Sequence, residues 1–392
     1  MQDTDLVVVG AGIHGVGVAQ AAAAAGHSVL VLEERCPAAG TSSRSSKLIH
    51  GGLRYLETLQ FGLVRESLDE RAILLEVAPH LVKLVPFHVP VYRSTSRRPW
   101  KVRLGLSLYA LLGGLHKDSR FSTVPPAEWE KLDGLSCDGL QTVFRYYDGQ
   151  TDDAALVRAV LASALSLGAR AEIPGAFLAA ERVDDAWNVR YRVADEERGV
   201  RARVVVNAAG PWANRVLERV KGGARSREME LVSGAHVEFE GAIERGIYYT
   251  ESPSDRRAVF VMPWKGRTLV GTTETPFDGD PADVAPTDAE IDYLEAILRR
   301  YFPCHAARRL NAFAGLRVLP RGKGRAFDRP REVVLQTDDR QRPTLLTIYG
   351  GKLTGYRHTA ESVLHVLHAS LPRRQRRADT RTLVLPAGVS QD

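Results

Sequence analysis

Residue types near the start of the chain can bind the phosphates of a dinucleotide. Gly10, Gly12 and Gly15 form a Gly-x-Gly-x-x-Gly pattern. In such a pattern the first glycine permits a tight turn, the second lets the backbone approach a pyrophosphate, and the third lets helix and strand pack closely. Glu33 ends the next apolar run and can accept hydrogen bonds from a ribose. The pattern predicts a dinucleotide site without saying whether FAD or NAD fills it.

A second segment that can bind a cofactor covers residues 41–56, TSSRSSKLIHGGLRYL. Its small hydroxyl side chains can surround a diphosphate and a ribityl chain, and Gly51-Gly52 lets the backbone lie against a flat ring. A polar surface loop seldom contains such an apolar and glycine-rich stretch. We therefore interpret the segment as a binding loop, and it favours FAD over NAD.

The surrounding pattern predicts the elements that position these residues. Residues 5–10 form a short apolar strand, 13–25 an alanine-rich helix that ends at Gly26, and 28–33 a second strand, which together make a βαβ unit. Further helices are expected over 61–78, 153–167 and 354–370.

Beyond residue 226 the apolar residues alternate, as in antiparallel strands. Residues 258–262 and 268–272 flank Pro-Trp-Lys-Gly-Arg, which indicates a hairpin, and Thr287 with Glu290 forms a capping box for a helix that ends near 302. We expect an α/β protein with a Rossmann-like dinucleotide-binding domain and an inserted antiparallel-sheet substrate domain. The expected boundaries are 1–80, 146–226 and 311–385 for the first domain, 81–145 and 227–310 for the second, and 386–392 for a tail.

Composition narrows the classes of function. The three cysteines form no Cys-x-x-Cys pair, so neither a disulfide framework nor a metal site is expected. The net charge of +6, with an arginine-rich run over 373–381, favours anionic partners. That run contains no aromatic residue for base stacking. We therefore expect no nucleic acid partner and interpret the run as a solvated or lipid-facing tail.

The longest apolar run, Leu104–Leu115, is too short to cross a bilayer, which takes about 20 residues. Basic and aromatic residues bracket it, Trp100 and Lys101 before it and His116 and Lys117 after it. It can be a helix at an anionic membrane surface or an internal helix of the substrate domain. The acidic, polar start lacks the features of a secretory signal. We expect a cytoplasmic protein, peripheral on the inner face of the plasma membrane if the run binds lipid.

Several blocks spread over nearly the whole sequence match those of a known family. They are DLVVVGAGIHGVGVA, TSSRSSKLIHGGLRYLE, the segment around Asp152-Asp153, VVVNAAGPWAN, GTTET, Gly-Leu-Arg at 315–317 and YGGKLTGYR. In these blocks the chain resembles the FAD-dependent glycerol-3-phosphate dehydrogenases of respiratory chains. The resemblance implies a fold of the D-amino-acid oxidase type, a short form without the C-terminal helical domain of longer relatives, and FAD as the cofactor.

The resemblance also implies which residues contact the cofactor. They come from the glycine turn, the 41–56 segment, the 209–210 turn and the last glycine-rich block: Gly10, Gly12, Ile13, His14, Gly15, Glu33, Thr41, Ser42, Ser43, Ser46, Lys47, Leu48, Ala209, Gly210, Gly351, Lys352, Leu353 and Thr354. A helix after Gly351 would direct its positive end at the flavin, where negative charge accumulates on reduction.

By the same resemblance Arg54, Arg317 and Lys352 bind the substrate, with Tyr55 and Thr272 beside them. A phosphate monoester needs such donors, and arginine offers two parallel hydrogen bonds. The catalytic candidates are Arg317 with two histidines, His50 and His236. Either histidine can take the hydroxyl proton near neutral pH.

The implied reaction is oxidation of sn-glycerol 3-phosphate to dihydroxyacetone phosphate, with a hydride passing from C2 to flavin N5 and the electrons continuing to a quinone. Two alternatives remain open. One is a flavin oxidase or dehydrogenase of another small hydroxy acid or amine, and the other, less favoured, is a flavoprotein that acts on RNA.

Three departures from the family pattern bear on substrate preference. Ser233-Gly234-Ala235 precedes His236 where relatives usually carry a lysine, Leu-Arg-Val-Leu-Pro follows Gly315 where they have Leu-Arg-Pro, and Gly355 replaces a threonine. These changes allow for a shifted substrate.

Overall fold

The structure is a computed structural model that describes residues 2–222, 226–321 and 333–387. Its helices are α1 Ile13–Ala24, α2 Phe61–Val77, α3 Pro99–Leu112, α4 Asp153–Ser166, α5 Ala213–Leu217, α6 Asp288–Tyr301 and α7 Tyr356–Leu367. Its strands are β1 Gln2–Val9, β2 Val29–Leu32, β3 Leu48–Ile49, β4 Val82–Tyr92, β5 Ser122–Thr123, β6 Leu140–Thr151, β7 Arg170–Glu172, β8 Ala176–Val183, β9 Ala186–Val193, β10 Glu196–Asn207, β11 Val220–Lys221, β12 Met229–Phe239, β13 Ile247–Glu251, β14 Ala258–Trp264, β15 Arg267–Gly271, β16 Thr275–Phe277, β17 Arg309–Pro320, β18 Val334–Thr337 and β19 Leu345–Tyr349. In the described ranges no helix combines the length and the apolar character that crossing a bilayer requires.

The first sheet has a parallel centre, in which β7, β2, β1, β10 and β19 lie side by side. Its buried valines and leucines pack against α1, α4 and α7 on one face, as is usual for a parallel sheet covered by helices. The predicted βαβ unit is confirmed. Helix α1 ends because Gly26 takes a left-handed conformation, φ +94°, and the His27 N–H then donates to the Ala22 carbonyl at 3.0 Å.

The second sheet is antiparallel except where β13 runs parallel to β4. The predicted hairpin is confirmed: β14 pairs with β15 through a two-residue turn, in which Lys265 and Gly266 both have positive φ. The predicted capping box is also present, with Glu290 accepting from the Thr287 N–H. Helix α6 covers one face of this sheet, and α2 and α3 lie against the other.

Two of the expected domain boundaries fall within strands of the second sheet. The 145/146 boundary cuts β6, which pairs with β4 over its length, and the 310/311 boundary cuts β17, which pairs with β12. A strand shares its backbone hydrogen bonds with one sheet along its whole length. We therefore propose boundaries after residues 151 and 320 instead.

The arginine-rich run at 373–381, expected to be a solvated or lipid-facing tail, is largely exposed and also packs on the first domain. Its guanidinium groups are exposed, yet Arg374 pairs with Asp5 at 3.1 Å, and the Arg377 N–H donates to the Ala24 carbonyl at 2.7 Å. The Arg377 guanidinium also donates to the Leu167 carbonyl. The run thus supplies donors and positive charge to the C-terminal ends of α1 and α4, where carbonyls lack partners inside the helix.

Candidate active site

A cavity of about 660 Å³ lies where the two sheets meet. It brings together most of the predicted site residues, although they are scattered along the chain: Gly10, Gly12, Ile13, His14, Glu33, Thr41, Ser42, Ser46, Leu48, His50, Tyr55, Ala209, Gly210, His236, Arg317, Gly351, Lys352, Leu353 and Thr354 line it. Gly15, Ser43, Lys47, Arg54 and Thr272 were also predicted, but they do not line the cavity.

The glycine turn at one end of the cavity has no room for side chains. A Cβ on Gly10, whose φ is +101°, would lie 2.8 Å from the Ala208 carbonyl oxygen, and one on Gly15 would lie 1.9 Å from the Gly10 oxygen. Gly15 therefore brings α1 against β1 and does not itself face the cavity. Glu33 accepts from the Ala11 N–H at 2.9 Å, so its carboxylate is held at the turn.

The hydroxyl loop after Gly40 is tied to the glycine turn and to α4. The Ser42 hydroxyl accepts from the Ile13 N–H, at the N-terminus of α1, at 2.9 Å. Lys47 turns away from the cavity, and its ammonium contacts both Asp153 carboxylate oxygens at 2.8 and 2.9 Å. Asp153 also accepts from the Ser45 hydroxyl at 2.7 Å. Lys47 thus holds the shape of the loop, because a buried ammonium needs a carboxylate partner.

The last glycine-rich block closes the cavity from the other side. Gly350 and Gly351 both have positive φ, and a Cβ on Gly351 would lie 2.0 Å from Nε2 of His14. Helix α7 begins only at Tyr356, with Gly355 as its cap, so residues 352–354 form a turn ahead of the helix. Glycine at 351 lets this turn pack directly on the glycine turn of α1.

Three guanidinium groups surround one carboxylate at the end of the cavity marked by Arg317. Glu274 lies 2.8 Å from Arg317, 3.4 Å from Arg257 and 3.9 Å from Arg54. The Arg317 guanidinium also donates to the Thr272 hydroxyl at 3.2 Å. Arg54 and Thr272 therefore reach the site through their contacts with Arg317 and Glu274.

Sequence reasoning missed Arg257 and Glu274. The GTTET block was noted, and its Glu274 offered a signal, whereas Arg257 stood in no recognised block. A charged side chain beside two predicted arginines could be recognised only after the strands had been placed.

Gly234 leaves room for the Thr272 and Arg317 side chains at this end of the cavity. A Cβ on Gly234 would lie 2.7 Å from the Thr272 hydroxyl and 3.0 Å from an Arg317 nitrogen. The Lys352 ammonium lies 4.0 Å from the centre of the Tyr55 ring. Cations therefore converge here from four segments of the chain, which suits a phosphate group.

His236 lies beside these cations as a neutral side chain. Its Nε2 is 2.9 Å from the Ser46 hydroxyl, and its ring stacks on Phe313 with centroids 5.1 Å apart. Burial, together with the charges of Arg317 and Lys47, lowers the pKa of His236 to about 3. His50 also lines the cavity, and its backbone N–H donates to the Thr354 hydroxyl at 3.2 Å.

Ser233 is buried and does not line the cavity. Side chains alternate along a strand, so Ser233 and Ala235 project from the opposite face of β12 to Gly234 and His236. Of the two positions at which relatives usually carry the lysine, 233 therefore lies on the core side of β12 and 234 lies on the cavity side.

The cavity fits FAD. Its glycine turn has the form that accepts a pyrophosphate at a helix N-terminus, Glu33 is held where a ribose would bind, and the volume lies in the range of cofactor sites, about 300–1,000 Å³. Residues 350–354 and Arg317 line the same cavity.

Comparison with known proteins also indicates an FAD-binding protein. Residues 5–357 match the family described as FAD dependent oxidoreductase. The chain is 39% identical to the D-erythritol 1-phosphate dehydrogenase of Brucella abortus, over 94% of this chain and 74% of that one. It is also 39% identical to the glycerol-3-phosphate dehydrogenase of Pseudomonas aeruginosa, over 92% and 70% of the two chains.

Solved structures confirm the fold. The glycerol-3-phosphate dehydrogenase from Bacillus halodurans, complexed with FAD, superposes with a TM-score of 0.73 at 27% identity, over 98% of this chain and 68% of that one. Glycine oxidase from Geobacillus kaustophilus, at 18% identity, shares the fold with a TM-score of 0.73 over the whole of both chains. The predicted fold class and the predicted cofactor are thus confirmed. The chain belongs to the FAD-dependent oxidoreductases of the D-amino-acid oxidase type, in the group that includes the glycerol-3-phosphate dehydrogenases.

Proposed function

We propose that this flavoenzyme oxidises a polyol phosphate, sn-glycerol 3-phosphate in the first instance, to the corresponding keto phosphate. The observation that carries the proposal is the convergence of Arg317, Arg54, Arg257 and Lys352 at one end of the FAD cavity. FAD, when bound, supplies the acceptor for the hydride that leaves carbon 2.

The charge balance favours a phosphate over the alternative substrates. Arg54, Arg257 and Arg317 lie around Glu274, and Lys352 lies over the Tyr55 ring, so several positive charges gather at this end of the cavity. A phosphate dianion is attracted to such a cluster, whereas the ammonium of an amine substrate would be repelled by it. A hydroxy acid carries a single negative charge and would be attracted less strongly.

The two histidines at the site have different proposed roles. A base works best when its pKa lies near the working pH, and the pKa of about 3 makes His236 a weak base. We therefore assign removal of the C2 hydroxyl proton to His50. His236, tied to Ser46, hydrogen-bonds the substrate.

A second candidate substrate is a four-carbon polyol phosphate. The relative named D-erythritol 1-phosphate dehydrogenase and the relative named glycerol-3-phosphate dehydrogenase are equally similar to this chain, at 39% identity each. Both substrates present a secondary alcohol at a fixed distance from a phosphate, so the same cation cluster serves either one.

The electrons are proposed to pass to a quinone in a membrane, with α3 at the lipid surface. Trp100, Leu104 and Leu111 lie on α3 and are 63%, 62% and 59% exposed. An exposed apolar face of this kind suits a helix in the bilayer interface. The RNA-acting alternative has less support, because Arg374 and Arg377 of the basic run already bind Asp5 and a helix end.

Anaerobic titration of the yellow holoenzyme tests the proposal. Addition of glycerol 3-phosphate should bleach the flavin absorbance, and D-erythritol 1-phosphate titrated in parallel ranks the two substrates. Glycerol alone, and glycerol with inorganic phosphate, serve as controls and should leave the flavin absorbance unchanged. Bleaching by a simple amine or hydroxy acid, with no response to either polyol phosphate, would refute the proposed function.

A further inference from the structure

The turn His50–Gly52 carries the proposed base, and its backbone is held by side chains from distant parts of the chain. The His50 N–H donates to the Thr354 hydroxyl, in the last glycine-rich block, at 3.2 Å. The buried Gly51 N–H donates to the Tyr109 hydroxyl at 2.8 Å. Leaving the buried Gly51 N–H without a partner would cost free energy.

Tyr109 belongs to α3, is 1% exposed and does not line the cavity. Its hydroxyl donates to an Asp148 carboxylate oxygen at 2.6 Å. Asp148, on β6, in turn accepts from Arg71 of α2 at 2.5 Å, and Arg71 also donates to the Tyr147 carbonyl at 2.9 Å. Since Asp148 is ion-paired and accepts, the Tyr109 hydroxyl must donate to it and keeps a lone pair for Gly51.

Packing leaves the turn little freedom around this hydrogen bond. A Cβ on Gly51 would lie 2.5 Å from the Tyr109 oxygen and 2.6 Å from a Leu68 methyl carbon. Gly52 has φ +77°, and a Cβ there would lie 2.2 Å from the Tyr55 ring. Tyr109 therefore contacts the His50–Gly52 turn directly. This turn places His50, and Tyr55 shortly after it, in the cavity wall.

We propose that Tyr109, oriented by Asp148 and Arg71, is a positioning residue that holds His50 at the reacting alcohol. It acts through the backbone of the turn and touches neither cofactor nor substrate. Its kinetic effect rests on the proposed function, in which His50 takes the proton, whereas its hold on the turn does not. A small displacement of a catalytic group can cost up to about 100-fold in rate.

The test compares three holoenzymes: wild type, the variant Tyr109→Phe and, as a matched control, the variant Tyr92→Phe. Tyr92 is another buried tyrosine of the second domain, whose hydroxyl donates to the Ser136 carbonyl at 2.6 Å and which does not line the cavity. Tyr109→Phe should slow anaerobic flavin reduction by about 10- to 100-fold, with little change in substrate Kd or FAD content. Hydrogen exchange in peptides covering 48–56 should be faster in Tyr109→Phe alone.

Unchanged flavin reduction in Tyr109→Phe, or equal slowing in Tyr92→Phe, would overturn the proposal. If Tyr109→Phe does not fold, Asp148→Asn, which weakens the orientation of Tyr109, must show the same split between rate and Kd. If glycerol 3-phosphate does not reduce the wild-type flavin, the proposed function fails by itself. Hydrogen exchange then still tests the positioning role of Tyr109. Equal protection of residues 48–56 in wild type and in Tyr109→Phe would refute that role.

Discussion

Cations only a few residues apart play different parts in this protein. Lys352 and Arg357 both belong to the block YGGKLTGYR, yet Lys352 lies over Tyr55 in the cavity, while Arg357 is buried in an ion pair with Glu70. The Arg357 guanidinium, 2.9 Å from Glu70 through its Nε, joins α7 to α2. The motif therefore combines a residue at the site with a residue that fastens the element carrying it.

Arg317→Ala should raise KM strongly and leave FAD bound. A hydrogen bond to a charged group contributes about 1.5 to 3 kcal/mol, so KM should rise by roughly 10- to 150-fold. Glu274 keeps Arg54 and Arg257 as partners, so the fold should tolerate the change. Steady-state kinetics and flavin content provide the measurement.

Arg309→Ala is the matched control, because Arg309 lies on the same strand, pairs with Glu295 and is far more exposed. Arg317→Lys should fall between wild type and Arg317→Ala, since a lysine keeps the charge but loses the fork of donors. A KM equal to that of the wild type in Arg317→Ala would show that Arg317 does not bind the substrate.

At the scale of elements, α3 has two faces with different tasks. Val102, Leu106 and Tyr109 are buried against the second sheet and α2, whereas Leu104 and Leu111 are exposed. The two readings of the apolar run left open by the sequence are thus compatible, because the same helix packs on the domain and presents an apolar surface.

Replacing Leu104 and Leu111 together by glutamine should weaken binding to anionic vesicles. We expect at least a several-fold loss in the pelleted fraction at low salt, since each exposed leucine can bury apolar area in the lipid interface. Sedimentation with vesicles of mixed neutral and anionic lipid is the measurement.

Leu165→Gln is the control for that experiment, because Leu165 is an exposed leucine, 43% accessible, on α4. Equal pelleting of wild type and the double variant, or wild-type protein that stays wholly in the supernatant, would contradict an interfacial role for α3.

At the scale of the whole molecule, buried neutral histidines make stability depend on pH. Burial lowers the pKa of His88 and of His14 to about 4, and that of His236 to about 3. Below about pH 6.5 the unfolded chain takes up protons that the folded chain does not. Folding free energy should therefore become less favourable as pH falls from 6.5 toward 4.

His88→Gln should reduce this acid sensitivity without touching the cavity. His88 accepts a hydrogen bond from Arg145 at 3.2 Å and stacks on Tyr248. Its contribution to the free energy of unfolding should fall by roughly 1.4 kcal/mol per pH unit on acidification. The difference in Tm between wild type and variant should thus narrow between pH 6.5 and 4.5. His116→Gln, at an exposed position, should show no such narrowing. A constant difference for His88→Gln would contradict this account.

The sequence alone determined the parts of the fold that depend on neighbours along the chain. The glycine turn, the hairpin at Lys265-Gly266 and the capping box at Thr287 are set by residues within a few positions of each other, so spacing predicts them. The cofactor and the fold type followed from motif blocks whose order along the chain is specific to the family.

Tertiary structure decided which polar residues face the cavity. Lys47 turns away because it meets Asp153, 106 positions later, and Arg317 belongs to a cluster because it meets Glu274, 43 positions earlier. The Gly51 N–H finds its acceptor on Tyr109, 58 positions away, in a helix that showed only an apolar run in the sequence. Such partners are set by the pairing of distant strands and the packing of helices on them, and a side chain's role depends on which partner its burial makes necessary.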